Sequence, residues 1–415
     1  MKAAEKDFRA GAGTGTIRFD ERMFPLEGFC RVHDAPHVRA LIFGNEELAA
    51  ILSVELVFMP EELIDHCKKL LKELADIPEN RIWVQVTNAI STPHAPDAER
   101  EKEKRALYDS AVKSAVSSAV NDAAAALSPA KLGIGLCVSD VIENRDIRTP
   151  EGVWIGRNGY GPTNRVANIL RFEGRNGQLL ALLINFAMKS AVLDNSHRRE
   201  GRRQVSADAA GYACATLEKN LGAPVLYSMS AAGDQVTQEM AIYNKLEADG
   251  TLTVRDLGVE AGLSMVRRIG STLAMDVLSV ANGIECDAVE RSVLVADRAF
   301  PWQGKVPDNA RPRRGVVFLP GPEKNVDVSV MRLGPAVLVA CKPEVNCITE
   351  LQLRAHCPAK HTLLLTMVNG GIKYMPDKAS YNDCTWEALS SPLMPGAAEK
   401  FVQVACDLAA ELNGA

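Results

Sequence analysis

Residues 179–235 constrain the fold more than any other segment, because they combine two apolar runs with a helix pattern between them. Residues 179–186 have the length and apolar character of a buried strand, and residues 223–229 repeat that pattern. The helix pattern follows Ser206 and Asp208, which are residue types that favour a helix start. Two strand ends and a helix start therefore lie close together in the chain. In open α/β sheets, ligands bind beyond the carboxyl ends of the strands.

The rest of the chain also alternates strand and helix patterns, which predicts an α/β protein with mixed β-sheets flanked by helices. Further strand patterns cover residues 38–43, 49–57, 81–86, 132–138, 169–172, 286–295, 316–319, 326–333, 336–341 and 363–368. The longest helix patterns cover residues 61–75, 101–126 and 397–412. The first of these has one apolar stripe, which is typical of a helix that packs on a core.

The predicted organisation is a single catalytic domain over residues 1–415 with two lobes, about 1–238 and about 283–415. The segment between them, about residues 239–282, is interpreted as a mostly helical join because it lacks a strand pattern. Near the start, Gly11, Gly13 and Gly15 resemble a phosphate-binding loop. No strand pattern precedes them, so a flexible leader is the favoured prediction.

Composition restricts the classes of function. Hydrophobic residues make up 47% of the 415 residues, which allows a large core, and the net charge of −5 gives no general attraction to nucleic acid or anionic membranes. The ten cysteines are scattered without a C-x-x-C pair, which favours free thiols in a reducing compartment. The sequence shows no signal-peptide pattern and no apolar run of transmembrane length. We therefore expect a cytoplasmic protein with a small-molecule substrate and no nucleic-acid or membrane partner; a homo-oligomer stays open.

Three motifs in residues 179–235 carry a family resemblance. They are N-F-A-M-K at residues 185–189, S-A-D-A-A-G at residues 206–211, and Gly233-Asp234. Their order resembles the neutral, non-lysosomal ceramidases, zinc amidases with N-x-A-x-H, S-x-D-x-x-G and a G-D turn near the catalytic serine. The resemblance implies the fold of the ceramidase catalytic domain. One departure is as informative as the match, because Lys189 stands where the family has a zinc-binding histidine.

The resemblance extends along most of the chain. Residues 84–96 (VQVTNAISTPHAP) are similar to the strand and loop that carry the family's first zinc-binding histidine. The segments E-N-R at 143–145, P-E-V at 343–345 and residues 369–386 resemble those that hold a substrate-binding arginine, a zinc-binding glutamate and two active-site tyrosines. The resemblance implies catalytic roles for Lys189, Arg145, Tyr374 and Asp234. It implies substrate contacts for Asn88, His94, Asn185, Asn369 and Tyr381.

The zinc-ligand set that the resemblance implies, His94, Glu344 and Tyr374, lacks its second histidine. Lysine binds zinc poorly, because its ammonium must first lose a proton. In one alternative, His197 on the same loop as Lys189 replaces the missing ligand. In the other, no metal binds, and the Lys189 ammonium supplies part of the lost positive charge and pairs with Glu344. We favour the second alternative because it explains the substitution itself.

The expected activity is hydrolysis of a C–N bond in an amide or cyclic amide of a small polar substrate. The cluster formed by Arg198, Arg199, Arg202 and Arg203 would favour an anionic substrate over a lipid if it lies at the mouth of the site. Two alternative functions would use the same cleft. The first is a metal-free lyase or isomerase that uses Lys189, with a lowered pKa, as a base on a sugar-like or carboxylate substrate. The second is a non-catalytic small-molecule-binding protein.

Overall fold

The computed structural model describes residues 7–194, 203–289, 292–308 and 313–414. Its strands are β1 (Arg9–Thr16), β2 (Phe29–Val32), β3 (His37–Gly44), β4 (Leu48–Val54), β5 (Ile82–Val86), β6 (Ser128–Val138), β7 (Ile142–Arg148), β8 (Val153–Asn158), β9 (Val166–Gly174), β10 (Leu179–Phe186), β11 (Arg203–Val205), β12 (Val225–Met229), β13 (Gln235–Thr237), β14 (Ile242–Leu246), β15 (Leu252–Asp256), β16 (Leu294–Lys305), β17 (Pro320–Leu333), β18 (Ala336–Ala340), β19 (Glu344–Val345), β20 (His361–Leu365) and β21 (Tyr374–Met375).

The helices are α1 (Glu61–Ala75), α2 (Lys102–Ala125), α3 (Asp208–Leu221), α4 (Gly258–Ala281), α5 (Cys347–His356), α6 (Lys378–Asp383), α7 (Trp386–Ser390) and α8 (Ala397–Gly414). Single 3-10 turns lie at Glu21–Met23 and Glu79–Arg81. Within the described residues, none of the helices is both long and apolar enough to cross a membrane.

Two sheets form the centre of the molecule. The larger has eight strands in the order β12-β10-β9-β6-β1-β3-β4-β5, and the smaller has four in the order β16-β17-β18-β20. In the larger sheet, β10 pairs parallel with β12 and antiparallel with β9, whereas β4 pairs parallel with β5. The expectation of an α/β protein with mixed sheets flanked by helices is therefore confirmed.

The layers are visible in the alternation of side chains along single strands. On β3, Ala40 and Ile42 pack in the core beneath helices α1 to α4, whereas Leu41 and Phe43 pack in a second core between the two sheets. On β18, Leu338 faces that second core and Val339 faces a third core beneath α5 and α8. Because side chains alternate along a strand, both faces of each sheet are covered and the order is helices, sheet, sheet, helices.

Three predictions about secondary structure were wrong. The segment about 239–282 does contain strands, because β14 and β15 form a hairpin before α4. Their polar, half-exposed residues hide the alternation, and Gly250 closes the turn with a left-handed φ of 83°. Strands were also predicted at 286–295 and 316–319. The observed strand β16 begins only at Leu294, and β17 begins at Pro320, after the second predicted range. Val317 and Leu319 are exposed, so the second apolar run has no sheet to join.

The glycine-rich segment near the start is neither a flexible leader nor a phosphate loop. It forms β1, a central strand that pairs with β3 from Arg9 to Thr16. A Cβ atom on Gly11, Gly13 or Gly15 would overlap the backbone of α2. The glycines therefore allow α2 to lie directly on the strand, and the close approach explains their spacing of two.

Substitution of Gly13 by alanine is expected to destabilise the protein by about 1–3 kcal/mol, because the new methyl group forces α2 away from β1. Gly283→Ala is the matched control, since its Cβ would meet only Val280 O at an ordinary 3.6 Å. Chemical denaturation measures both free energies of unfolding. Equal stabilities of the two variants would contradict the close packing of α2 on β1.

Candidate functional site

Two pairs of parallel strands bring the site residues together. Strands β10 and β12 end at Phe186 and Met229, and the chain continues from them to Lys189 and Asp234. The short strands β19 and β21 pair parallel, with Glu344 opposite Tyr374. The turn at Gly233 joins the two pairs, because its N–H donates to Val345 O at 2.9 Å. A Cβ on Gly233 would lie 2.8 Å from the same oxygen, so this close approach requires glycine.

Lys189, Glu344 and Tyr374 meet at this junction. Lys189 Nζ lies 2.6 Å from Glu344 Oε2 and donates to Tyr374 Oη at 3.2 Å. Both charged side chains are nearly inaccessible, with side-chain exposures of 6% for Lys189 and 8% for Glu344. The Lys189 ammonium also lies 5.2 Å from the centre of the Tyr374 ring, in cation–π range. The structure therefore brings together three residues that are up to 185 positions apart in sequence.

The pKa of Lys189 is raised above its ordinary value. Burial disfavours the ammonium, but the carboxylate of Glu344 and the nearby Tyr374 outweigh the loss of hydration. Lys189 therefore stays protonated across the neutral range. This direction is opposite to the lowered pKa on which the lyase or isomerase alternative depends.

Arg145 supplies a second positive charge beside Tyr374. Its guanidinium lies 5.5 Å from the centre of the Tyr374 ring. On its other side it forms a buried ion pair with Glu387, in which Arg145 Nε donates to Glu387 Oε1 at 2.8 Å. Burial opposes the charge of Arg145, but Tyr374 and Glu387 raise its pKa well above the ordinary value. Two permanent cations therefore flank the Tyr374 ring.

Asp234 is buried next to this cluster. Its carbonyl oxygen accepts from the Arg145 N–H at 2.9 Å. Its carboxylate accepts from Asn144 Nδ2 at 3.1 Å, from Gln235 Nε2 at 2.9 Å and from the Cys347 N–H at 2.9 Å. Burial raises its pKa to about 7 in spite of these donors. A carboxyl group with this pKa can accept or release a proton near neutral pH.

Three of the residues expected to bind substrate use their polar groups within the protein. Asn185 donates to Leu364 O at 2.7 Å and to Ser228. Asn369 bonds the backbone of β5 at two points, accepting from the Val84 N–H and donating to Ile82 O. The hydroxyl of Tyr381 donates to Leu393 O at 2.7 Å, and burial raises its pKa. These contacts hold the strands and helices around the site.

Asn88 and His94 lie on the loop after β5. Asn88 is buried and has a left-handed φ of 52°, which asparagine tolerates better than most residues. His94 is 56% exposed and its Nδ1 lies 3.2 Å from Glu27 Oε2. His94 therefore pairs with a surface carboxylate and not with the Lys189 cluster.

The described residues do not fit a zinc ion of the kind that the resemblance implies. Among them, no three His, Cys, Asp or Glu side chains are arranged to hold a metal. Glu344 and Tyr374 are adjacent, but the position beside them holds the Lys189 ammonium, which repels a cation. His197 and its neighbours Arg198, Arg199 and Arg202 lie outside the described residues.

Sequence analysis missed two acidic residues of the site. Glu387 is fully buried and pairs with Arg145 across 242 positions, and its Oε2 has no hydrogen-bond partner among the described residues. Asp146 follows Arg145 on β7, and its buried Oδ1 is likewise without a partner there. Burial and the nearby carboxylates of Glu387 and Asp234 raise the pKa of Asp146 to about 9. The available signal was the position of Asp146 next to the arginine already singled out.

Solved structures share this architecture. The neutral ceramidase from Pseudomonas aeruginosa superposes with a TM-score of 0.77 at 15% sequence identity, over 99% of this chain and 75% of that chain. A ceramidase complexed with C2 gives the same TM-score at 14% identity, over 99% of this chain and 76% of that chain. The chain has the ceramidase fold.

The likeness to the ceramidases lies in the fold and not in overall sequence. No protein-family model matches the chain, and no curated protein matches it either. The low identity to both ceramidase structures is what a divergent sequence on that fold shows. The resemblance of the motifs at 185–189, 206–211 and 233–234 is therefore confirmed at the level of fold.

Asp146→Asn is expected to stabilise the protein at about pH 8 by about 1–3 kcal/mol and to have little effect at about pH 4. Asp146 has a raised pKa of about 9 in the folded state against an ordinary 3.8, so the folded state binds more protons between these values. Its contribution to stability therefore falls as pH rises. Asparagine keeps the shape and needs no proton.

Denaturation curves at the two pH values check this, with Asp407→Asn on the exposed face of α8 as the matched control. A loss of stability in the Asp146 variant at about pH 8 would show that the carboxylate is favourably paired.

Proposed function

We propose that this chain is a hydrolase that cleaves the C–N bond of a small polar amide or cyclic amide. The observation that supports it is the buried cluster of Lys189, Glu344 and Tyr374 beside Arg145. These residues match the family segments that hold the zinc ligands and the substrate-binding arginine. The ceramidase fold supports the same class of reaction.

In this proposal Lys189 and Arg145 stabilise the negative charge that a zinc ion would otherwise stabilise. An amide carbonyl develops negative charge on its oxygen as water attacks, and fixed positive charges in a dry site stabilise that charge. Lys189 and Arg145 are held by Glu344 and Glu387, so they need little reorganisation. Because the pKa of Lys189 is raised, the ammonium keeps its charge throughout the cycle.

Asp234 is the proton acceptor that we assign to the attacking water. Its pKa of about 7 matches this task, because an ionised fraction exists at neutral pH and the protonated form can release its proton again. The hydrogen bond from the Arg145 N–H to its carbonyl oxygen holds the backbone of Asp234 beside β7, and its carboxylate faces Asn144 and Gln235. In this proposal the scissile carbonyl lies between that carboxylate and the two cations.

A panel of small amides tests the activity: N-acetylated amino alcohols, N-acetylated amino sugars and lactams, with a long-chain ceramide for comparison. We expect turnover of a small polar amide and none of the ceramide. The described residues of the site are polar and charged, which favours a polar substrate over a membrane lipid. Turnover of ceramide alone at rates on the order of 1 to 1,000 per second would contradict the proposed substrate class.

Replacement of Lys189 by methionine is expected to lower kcat by about 10²–10³-fold, the loss typical when one preorganised donor to an oxyanion is removed. Strong chelator should leave the native activity unchanged, because the positive charge belongs to the protein. Lys72→Met on the exposed face of α1 is the matched control.

Methionine at this position leaves Glu344 buried without a partner, which costs about 3–5 kcal/mol of stability. The double variant Lys189→Met with Glu344→Gln removes both charges and tests activity in a folded protein. Chelator-sensitive native activity that zinc restores would overturn the charge-replacement proposal in favour of a metalloamidase.

A further inference from the structure

A polar cavity of about 330 Å³ lies next to the chain segments that carry Arg145, Glu344 and Tyr374. Asn144 and Asp146 line it from β7, on either side of Arg145. Asn346 lines it two residues after Glu344, and Asp377 lines it three residues after Tyr374. Three chain segments therefore each contribute one residue to the cluster and at least one to the cavity wall. Asp234 belongs to both, because it lines the cavity and bonds the Arg145 N–H.

The cavity wall carries a surplus of acceptors and negative charge. Four carboxyl groups line it, from Asp146, Asp234, Asp377 and Asp383. Among the described residues of the wall, the one cation is Arg148, which is already paired with Asp383 at 2.5 Å.

Two oxygens in this wall have no hydrogen-bond partner within the described residues. They are Oδ1 of Asp146 and Oδ1 of Asn346, and Asn346 is only 2% exposed. Both oxygens are therefore available to accept hydrogen bonds from a ligand that carries donors.

We propose that this cavity is the subsite for the amine half of the substrate and that it holds the amine product as an ammonium ion. The inference rests on the proposed hydrolase function. The oxygen of water bonds to the carbonyl carbon, the C–N bond breaks, and the two protons of that water end on the nitrogen. At neutral pH the products are a carboxylate and an ammonium ion. The cluster of Lys189 and Arg145 has the charge to hold the first, and the acidic cavity has the charge to hold the second.

The protonation of the wall agrees with this assignment. Burial, together with neighbouring carboxylates, raises the pKa of Asp146 to about 9 and that of Asp234 to about 7. An ammonium ion among Asp146, Asp234, Asp377 and Asp383 offsets that repulsion and lowers both values. Arg148 stays paired with Asp383, and Arg145 with Glu387, on either side. Binding of the ammonium therefore releases protons, and it weakens on acidification.

The cavity also indicates how large the amine can be. Tyr160 lies at its edge and is fully exposed, and the same residue lines a neighbouring groove of about 550 Å³ together with Tyr243. Arg148 and Asn158 also line both spaces, so they adjoin. A compact amine of the size of an amino sugar fits the inner cavity, and the exposed ring gives a larger substituent a surface to stack on.

Ligand-observed NMR or calorimetry with glucosamine and with glucose, its neutral match, tests the subsite at about pH 7. We expect the ammonium probe to bind at least about tenfold more tightly than glucose, and to weaken at about pH 5 as Asp234 protonates. The double variant Asp146→Asn with Asp377→Asn removes two carboxyl groups from the wall, and asparagine at 377 can still cap α6. Its affinity for glucosamine should fall about tenfold, while Asp407→Asn on α8 leaves it unchanged.

Equal binding of the two probes, or an unchanged affinity in a folded double variant, would overturn the subsite. The binding measurement needs no turnover, so it can contradict the ammonium subsite without contradicting the hydrolase, and the reverse. A chain that holds glucosamine through Asp146 and Asp377 but cleaves no amide keeps the cation subsite and loses the hydrolase. A chain that cleaves amides without product inhibition by any amine keeps the hydrolase and loses the subsite.

Discussion

The Lys189 ammonium and the Glu344 carboxylate lie 2.6 Å apart, and both are almost completely removed from water. Removal of one partner from such a pair typically costs about 3–5 kcal/mol, because the remaining charge stays buried. The pair also joins distant parts of the fold, since Lys189 follows a strand of the large sheet and Glu344 begins β19. The close approach of Gly233 to Val345 completes the same junction. The arrangement of β19, β21 and the turn at 233–234 therefore depends on this contact.

Charge is separated on the two sides of β7. Arg145 projects toward Tyr374 and joins Lys189, whereas Asn144 and Asp146 line the acidic cavity. Successive side chains of a strand point to opposite faces, so neighbouring residues of β7 lie on opposite sides of the strand. A cationic group of residues and an anionic cavity on adjoining residues of one strand are suited to a reaction whose products carry opposite charges. Lys189 remains protonated because Glu344 and Tyr374 outweigh its burial, whereas burial raises the pKa values of Asp146 and Asp234.

Sequence patterns predicted the elements with strong local periodicity. The stripe of α1 and the apolar run of β10 were predicted with the bounds that the structure shows. The contact between Lys189 and Glu344 was expected because family motifs placed both residues at one metal site. Strand β1 was not predicted because its glycines serve a close contact with α2. The hydrophobic pattern of the segment itself does not reveal a contact with a distant helix. Glu387 was missed because its partner is 242 positions away and no short motif marks such a pair.

The central claim is that the Lys189 ammonium occupies the place of a metal ion. Anomalous X-ray diffraction at the zinc edge, from crystals grown with zinc equimolar to the protein, tests it most directly. We predict no anomalous peak beside Glu344 and Tyr374, with Lys189 Nζ in contact with the Glu344 carboxylate. A peak bonded to Glu344 and Tyr374, with the Lys189 side chain displaced, would contradict it.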